Sequence, residues 1–322
     1  MFFLRFDSII IKLIITVVFA NFFPIQGKYL NLFKWFTTLA IAFLFFMHGA
    51  KLSHQKIIAG SSHWRLHLWI ICSTFIIFPL IGILIIWWHP LNLNNEIYTG
   101  FIYLCILPAT VQSSIALTSI AGGNVAAAVC SASTSSFIGV FISPLLLNII
   151  MNIHKDLTNN TLEQITKIIM QLLLPFVLGH FSRRWISYWI ERKDNLINKT
   201  DQISILLIVY LAFSEAVINR IWQHVDIRTF LCILIGSILI LCTVLSINFI
   251  VSRLFRFNRA EEIVVLFCGS KKSLANGIPM ANILFPISSV GMIVLPLMIF
   301  HQVQLLVCSF LARKYRIHKK SQ

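Results

Sequence analysis

The sequence predicts an all-α integral membrane protein with ten transmembrane helices, arranged as two inverted five-helix repeats. Three observations support this fold class: the composition, the long apolar runs and the placement of the basic residues. Of the 322 residues, 58% are hydrophobic and 11% charged, and the mean hydropathy is +0.85. Soluble domains usually contain about 45–50% apolar and about 25% charged residues. The composition therefore excludes a water-soluble globular protein.

Apolar runs between polar or helix-breaking residues predict ten membrane spans, because a hydrocarbon core roughly 30 Å thick requires about 20 apolar residues per helix. The predicted spans are 8–24, 31–50, 66–88, 97–121, 124–152, 164–182, 202–220, 229–252, 260–285 and 288–312.

Basic residues alternate between the two sides that these spans define. Seventeen Lys and Arg residues fall on the side of the termini and six on the other, with Lys12, Lys271 and Lys272 inside spans. Cytoplasmic loops carry excess Lys and Arg, so both termini are predicted to lie in the cytoplasm of a plasma or inner membrane protein. The net charge of +15 would suggest nucleic acid for a soluble chain. Here the basic loops explain it, and no nucleic-acid partner is expected.

The sequence carries no pattern of an enzyme, a metal site or a cofactor site. All seven cysteines lie in apolar stretches without CxxC or Cys/His spacing. There is no HExxH motif, and the stretch GSKKS lacks the glycine that precedes the lysine of a phosphate-binding loop. We therefore expect no catalytic residues, no metal and no cofactor.

Spans four and nine are interrupted by proline, glycine and polar residues. Span four contains Pro108, which is followed by a polar cluster: Thr110, Gln112, Ser113 and Ser114. Span nine contains, at membrane depth, Gly269, Lys271, Lys272, Ser273, Asn276, Gly277 and Pro279. Proline removes a backbone donor and clashes with the preceding turn, so both helices are predicted to break. The alternative is that proline and glycine merely kink ordinary helices.

These two spans occupy matching positions, each the fourth of five. Because five is odd, repeats 1–153 and 154–322 of this single transporter domain would have opposite orientations. SSIALTSIA at 113–121 also resembles KSLANGIPMA at 272–281. Paired broken helices in inverted repeats are typical of a transporter with its site near the bilayer midplane.

The stretch AGGNVAAAVCSASTSSFIGVFISPLL at 121–146, preceded by the span with proline and serines, resembles the bile acid–sodium symporter family. The likeness extends over most of the chain and is strongest to the divergent branch with the vertebrate seventh member and its bacterial relatives. It implies ten spans in inverted halves, and a crossing-helix core that moves against a panel formed by spans 1, 2, 6 and 7.

The resemblance also implies two sodium ions, held by hydroxyls and by a glutamate of span nine. In this chain Lys271 falls where that glutamate should be and Ala275 where a glutamine should be, whereas Asn276 matches the motif. The hydroxyl positions of span five read Ala128 and Ala132. These departures lead to the hypothesis that Lys271 substitutes for sodium, so that coupling is to protons or absent.

An ionisable group at the bilayer centre costs about 2.5–3.5 kcal/mol on insertion scales, so Lys271 and Lys272 require compensation. The two side chains would reach one cavity only if the backbone unwinds, and Gly269 and Pro279 are expected to bracket such a segment. Glu215 is the only carboxylate well inside a span and is the candidate counter-ion by elimination. The alternative to proton exchange is a permanently charged lysine bonded to Glu215 and backbone carbonyls.

The sequence thus predicts a secondary transporter that moves a small organic anion through the bilayer by alternating access, because half-helix N-termini and two lysines favour negative charge. The alternative is a non-transporting membrane regulator or scaffold that keeps the fold. The candidate substrate- and ion-binding residues are Gln112, Ser113, Ser114, Asn124, Glu215, Lys271, Lys272, Ser273 and Asn276.

Overall fold

The computed structural model describes residues 8–51, 63–88, 93–152, 170, 174–192, 194–218 and 226–320. Within these ranges the chain is helical and contains no strand, which confirms the all-α class. The helices are α1 Ser8–Phe22, α2 Lys28–Lys51, α3 Trp64–Cys72, α4 Phe78–Trp88, α5 Asn95–Ile106, α6 Val111–Ala121, α7 Val125–Asn152, α8 Leu174–Arg192, α9 Asp194–Ile218, α10 Ile227–Leu254, α11 Arg259–Gly269, α12 Leu274–Leu284 and α13 Ile287–Lys320. A π-helical turn, Ser73–Ile77, joins α3 to α4.

Several of these helices are long and apolar enough to cross a membrane. Five qualify in the described part of the chain: Tyr29–Met47, Trp64–Ile85, Val125–Ile150, Ile227–Leu254 and Ile287–Arg316. The bent pair α5 and α6 adds a sixth if it forms one span. The protein is therefore a multi-pass membrane protein, while the ten-span count and the inverted repeat remain predictions. Residues 164–169 and 171–173 of predicted span six lie outside the described residues.

The chain divides into two compact units. Unit 1 comprises Met1–Leu52, Thr158–Asp226 and Ile278–Met292, whereas unit 2 comprises Ser53–Leu157, Ile227–Gly277 and Ile293–Gln322. Unit 1 contains α1, α2, α8 and α9, which correspond to predicted spans 1, 2, 6 and 7, together with most of α12 and the start of α13. Its four complete helices are those that the family resemblance assigns to the panel.

Unit 1 is held together by a very close approach of α2 and α8. A Cβ atom added at Gly49 would lie 2.0 Å from the carbonyl oxygen of Phe176, and one added at Gly179 would lie 1.9 Å from that of Phe46. Small residues let membrane helices approach this closely, and close approach provides the van der Waals contact that holds them without a hydrophobic driving force.

Helix α11 is the centre of unit 2 and is buried on two sides. One side packs against α3 and α7 in an apolar cluster: Leu66, Ile70, Ala127, Ala128, Ala132, Val264, Val265 and Cys268. The other side packs against α6 and α13 in a second cluster: Leu117, Ala121, Ile263, Phe267, Cys308 and Ala312. An Asn258–Glu261 capping box fixes the first turn of this helix. The position of Gly269, where α11 ends, is therefore set by packing on both sides.

Gly49 and Gly179, each of which faces a backbone carbonyl of the other helix, provide a stability test. Alanine has the higher helix propensity, but Gly49→Ala or Gly179→Ala forces two backbones apart and is expected to cost about 1–3 kcal/mol or more. The melting temperature in detergent should fall for both variants. Thr38→Val, at an exposed position of α2, should leave it unchanged; a loss of equal size there would contradict the proposed role of the glycines.

Candidate functional site

The first helix break lies between α5 and α6, as Pro108 predicted. Leu107 and Thr110 have extended backbone conformations with ψ values of 153° and 129°, and the two helices differ in direction by 58°. Thr110 is the N-cap residue of α6. The polar residues Gln112, Ser113 and Ser114 therefore belong to the first turn of a half-helix, where the backbone N–H groups lack partners within the helix.

The second break lies between α11 and α12, at residues 270–273. It begins after Gly269 as expected but ends before Leu274, so Pro279 does not bracket it: this proline lies inside α12. Because Pro279 is the sixth residue of α12, it removes a single early bond, the one to the carbonyl of Ala275, and the helix continues. The unwound segment is thus shorter than the sequence suggested and contains both lysines.

The two breaks are hydrogen-bonded to each other. The backbone N–H of Ser273 donates to the carbonyl oxygen of Pro108 at 3.0 Å. In the opposite direction, the Thr110 hydroxyl donates to the carbonyl oxygen of Lys272 at 2.7 Å. Each break therefore satisfies polar backbone groups that the other one frees.

Side chains from neighbouring helices satisfy further backbone groups of the breaks. The Ser143 hydroxyl donates to the Ile106 carbonyl at 2.8 Å, and Ser73 donates to the Gly269 carbonyl at 2.9 Å. The Ser135 hydroxyl accepts a bond of 3.1 Å from the Ala109 N–H. The Gln304 side chain accepts from the backbone N–H of Lys272 and donates to its carbonyl, both at 2.9 Å. Such pairing is what allows irregular backbone to persist at membrane depth.

Lys272 is fully buried, and its ammonium group binds three backbone carbonyls. Nζ donates to the carbonyl oxygens of Thr74, Cys105 and Leu107 at 2.9, 2.9 and 2.7 Å. Two of these carbonyls end α5, where the helix dipole is negative, and the third belongs to the π turn. The ring centroid of Phe78 lies 4.0 Å from Nζ. An ammonium has three donors, and these carbonyls use all of them.

Lys271 is also fully buried, but its ammonium has a different environment. Within the described residues Nζ has no hydrogen-bond partner, and it lies 5.9 Å from the ring centroid of Phe267. The break therefore directs two adjacent lysines into separate surroundings. A buried ammonium without hydrogen bonds is costly, so this group is suited to binding an anion that would compensate it.

Three predicted residues line the start of α6. Ser114 is buried and donates to the Phe267 carbonyl at 3.0 Å, which ties α6 to α11. Ser113 has a buried hydroxyl with no partner in the described part of the chain, whereas Gln112 is exposed. Ser113 is therefore the polar group of this turn that remains available to a ligand.

Two predicted residues lie at the start of α12. Ser273 accepts a bond from the Asn276 N–H at 3.2 Å, as an N-cap does, and the Asn276 amide donates to Ser136 at 3.3 Å. Asn124 lies elsewhere, beyond the far end of α6, where it caps α7 by accepting from the Ala127 N–H at 3.0 Å. We call the place where the two breaks, residues 107–110 and 270–273, meet the crossing. It brings together the serines of α6, the lysines and the first turn of α12, but not Asn124.

Glu215 belongs to unit 1 and has a cationic partner there. Its carboxylate lies 2.6 Å from the Lys34 ammonium, near the start of α2. Lys272, in unit 2, already has three carbonyl partners. A counter-ion role of Glu215 toward Lys271 or Lys272 remains a prediction, and the pair with Lys34 is the contact that the elimination argument did not consider.

The sequence analysis did not identify several residues that build the crossing. Thr74 and Phe78 surround the Lys272 ammonium, and Ser135 and Gln304 bind the unwound backbone. The sequence signal for Gln304 was its position one helical turn after His301 in an apolar span. In the structure Gln304 Nε2 lies 2.8 Å from His301 Nδ1. Ser73 and Thr74 were the detectable signal in span three, since adjacent hydroxyls interrupt an otherwise apolar run.

The profile of the SBF-like CPA transporter family matches residues 7–317. The chain belongs to this family. Membership confirms the resemblance drawn from residues 121–146 and assigns the chain to a family of membrane transporters, which are not enzymes. The protein therefore operates in a lipid bilayer on a small-molecule substrate.

Two relatives illustrate the range of the family. "Putative symporter YfeH" of Escherichia coli (strain K12) is 59% identical over 310 residues, covering 96% of this chain and 93% of its own. "Sodium/bile acid cotransporter 7-B" of Xenopus laevis is 28% identical over 317 residues, covering 96% and 91%. Both similarities extend over nearly the whole chain and include both helix breaks.

The two lysines provide a matched stability test, because they are adjacent, equally buried and differently bonded. Lys272→Met leaves three carbonyls without their donor and should lower the melting temperature, at about 1–3 kcal/mol for each carbonyl that finds no new partner. Lys271→Met removes a charge that has no hydrogen bond and should leave the melting temperature unchanged or raise it.

Thermal unfolding of both variants in the same detergent measures this difference. Equal loss of stability in the two variants would contradict the distinct roles assigned to the lysines.

Proposed function

We propose that this protein is a secondary transporter that moves a small organic anion by alternating access, with the Lys271 ammonium as the principal anion ligand and without bound sodium. The observation that carries the proposal is the buried Lys271 ammonium without a hydrogen-bond partner among the described residues. Ionisable groups inside membrane spans are costly and mark substrate or ion pathways, and an anionic ligand would compensate the charge of this one.

The proposed architecture is the family one, with ten spans in two inverted repeats and both termini in the cytoplasm. Helices α1, α2, α8 and α9 would form the panel, and the crossing helices α5, α6, α11 and α12 would form the core. The grouping of these four helices in one compact unit supports that division. Alternating access then requires the core to change position relative to the panel during each cycle.

An anionic substrate is supported by three features of the crossing. The first turns of α6 and α12 both begin at the breaks, and helix N-termini favour negative charge. The Ser113 hydroxyl provides a donor without a described partner. Lys271 adds a full positive charge. A carboxylate, sulfonate or phosphate group would complement all three, so we propose an organic anion as the substrate.

The absence of sodium coupling is supported by the residues that occupy the places of its ligands. Ala128 and Ala132, at positions where the family resemblance implies hydroxyls, are fully buried in the apolar cluster between α3, α7 and α11. The sequence assigned the cation-replacing role to Lys271. The three carbonyls around Lys272 make it the better candidate, since carbonyl oxygens are also what a bound sodium ion would contact.

Anion binding can be measured as thermal stabilisation of the purified protein. A ligand at a concentration of 100 times its Kd stabilises the folded state by about 2.7 kcal/mol. We expect at least one member of a panel of carboxylates, sulfonates and phosphates, including bile salts, to raise the melting temperature. Lys271→Gln should weaken that response at least tenfold, whereas Lys12→Gln, at an exposed lysine of α1, should preserve it. If no anion acts, a regulator or scaffold that keeps the fold becomes the better interpretation.

Sodium independence can be tested by chemical rescue. The wild-type melting temperature should be the same in sodium chloride and in choline chloride at equal ionic strength. Lys272→Ala removes the ammonium from the three carbonyls, so sodium or methylammonium should restore part of its lost stability by occupying that place. Lys271→Ala should show no such rescue. Clear stabilisation of the wild type by sodium would overturn the proposal of an uncoupled or proton-coupled transporter.

A further inference from the structure

Unit 2 contains a cavity formed by α10, α11 and α13. Its volume is about 890 Å³, which is in the range of ligand-binding pockets. Within the described residues, none of those in the two helix breaks lines it. The substrate site at the crossing therefore does not account for this cavity.

One end of the cavity is apolar and long. Along α10 the lining runs from Cys242 to Arg253, about three turns or about 16 Å. Leu245 and Phe249 contribute from α10, and Leu311 contributes from α13. Such a channel accommodates a hydrocarbon chain better than a compact polar solute.

The other end of the cavity is basic. Arg253, Arg259 and Lys314 line it, and the Arg253 side chain is 67% exposed. The Arg259 guanidinium donates to the Tyr315 carbonyl at 2.8 Å, which holds the end of α13 beside the start of α11.

Among the described residues that line the cavity, Glu262 is the one carboxylate beside these three cations. Glu262 is 2% exposed, and its oxygens accept from the Tyr315 hydroxyl at 2.6 Å and pair with Arg253 Nε at 3.0 Å. A guanidinium carries four further N–H donors on its Nη atoms. The mouth of the cavity therefore has an excess of positive charge that complements an anionic group.

The wall beside the cavity faces the hydrocarbon of the membrane. Ile250 and Leu254 on α10 are 62% and 73% exposed, and Phe255 is 48% exposed. Apolar side chains this exposed on a membrane helix contact lipid. A ligand with an acyl chain can therefore enter sideways from the bilayer.

We infer that this cavity binds an anionic phospholipid, with its phosphate held by Arg253, Arg259 and Lys314 and one acyl chain along α10. The basic end is the one that the distribution of Lys and Arg predicts to face the cytoplasm, where the leaflet carries anionic lipids. Basic pockets between membrane helices on that side are suited to such headgroups. The bound lipid would join α10 to α11 and α13, and so brace the half-helix whose last residue begins the second break.

Native mass spectrometry of the purified full chain, titrated with phosphatidylglycerol or phosphatidylcholine, tests this inference. We expect phosphatidylglycerol to bind more tightly. Lys314→Gln should weaken it about fivefold, the effect typical of one basic residue at a membrane surface. Ser246→Phe, at an exposed lining position of α10, should fill the apolar end and also weaken binding without disturbing the buried Glu262 cluster.

Neighbouring residues outside the lining provide matched controls. Arg313→Gln removes the same charge from the same turn of α13, and Thr243→Phe adds the same ring to α10; both should leave binding unchanged. The inference is overturned if the two lipids bind equally, if Arg313→Gln weakens binding as much as Lys314→Gln, or if glycerol 3-phosphate alone displaces the lipid. The readout is lipid binding, so failure of the anion-transport proposal would not affect it.

Discussion

The structure of unit 2 depends on one requirement, that no backbone N–H or C=O group remain unpaired in a medium without water. Breaking two helices at membrane depth frees many such groups at once. The chain meets the requirement by placing the breaks against each other, so that Ser273 binds Pro108 and Thr110 binds the carbonyl of Lys272. Neither break would be stable alone, which gives a physical reason for interrupted helices to occur as a pair.

The same requirement explains why two adjacent lysines have different roles. Lys272 donates to three carbonyls from two separate segments, the π turn and the end of α5, and its positive charge faces the negative end of α5. Lys271 contributes nothing of this kind, because its ammonium has no partner among the described residues. Lys272 is therefore a structural element of the crossing, whereas the uncompensated ammonium of Lys271 is the reason for proposing that it binds an anion. This difference is why Lys272→Met is expected to lower the melting temperature and Lys271→Met is not.

Much of the fold could be predicted from the sequence, because apolar runs, proline and membrane thickness act locally. The helical class, the break at Pro108 and the start of the second break after Gly269 all followed from such signals. The length of the second break could not be predicted in this way. A proline in the second turn of a helix removes one backbone hydrogen bond, whereas a proline in the middle of a longer helix disrupts the helix. Pro279 was the first case, and Ser273, the N-cap of α12, was the sequence signal for the start of this helix that the prediction did not use.

The residues that meet at the two breaks could be predicted from the sequence but their partners could not, and their binding roles stay predictions. Residue type and depth identified Ser113, Lys271 and Lys272, since polar groups in a membrane span are rarely accidental. Which lysine would meet the carbonyls depends on the backbone torsions of a few unwound residues, and no spacing rule encodes these. Glu215 was chosen as the counter-ion because it is the only carboxylate well inside a predicted span. That argument considered only the lysines in the middle of spans and so overlooked Lys34, which lies near the start of α2.

Asn124 is a candidate binding residue that lies in the stretch carrying the family resemblance. In the structure its side chain caps α7 by accepting a bond from the Ala127 N–H, so it has a structural contact, and a binding role stays a prediction.

The Lys272 ammonium is covalently part of the chain, and this has a consequence for the energetics of transport. An ion taken from solution carries with it the free energy of its electrochemical gradient, and it gives up that energy when it is released on the other side. A cation that belongs to the chain is never released, so it can do no work, however well it fills an ion's place. If the Lys272 ammonium takes the place of a coupling ion, as proposed, uphill movement of a substrate would be driven by the membrane voltage, by protons or by exchange for a second solute.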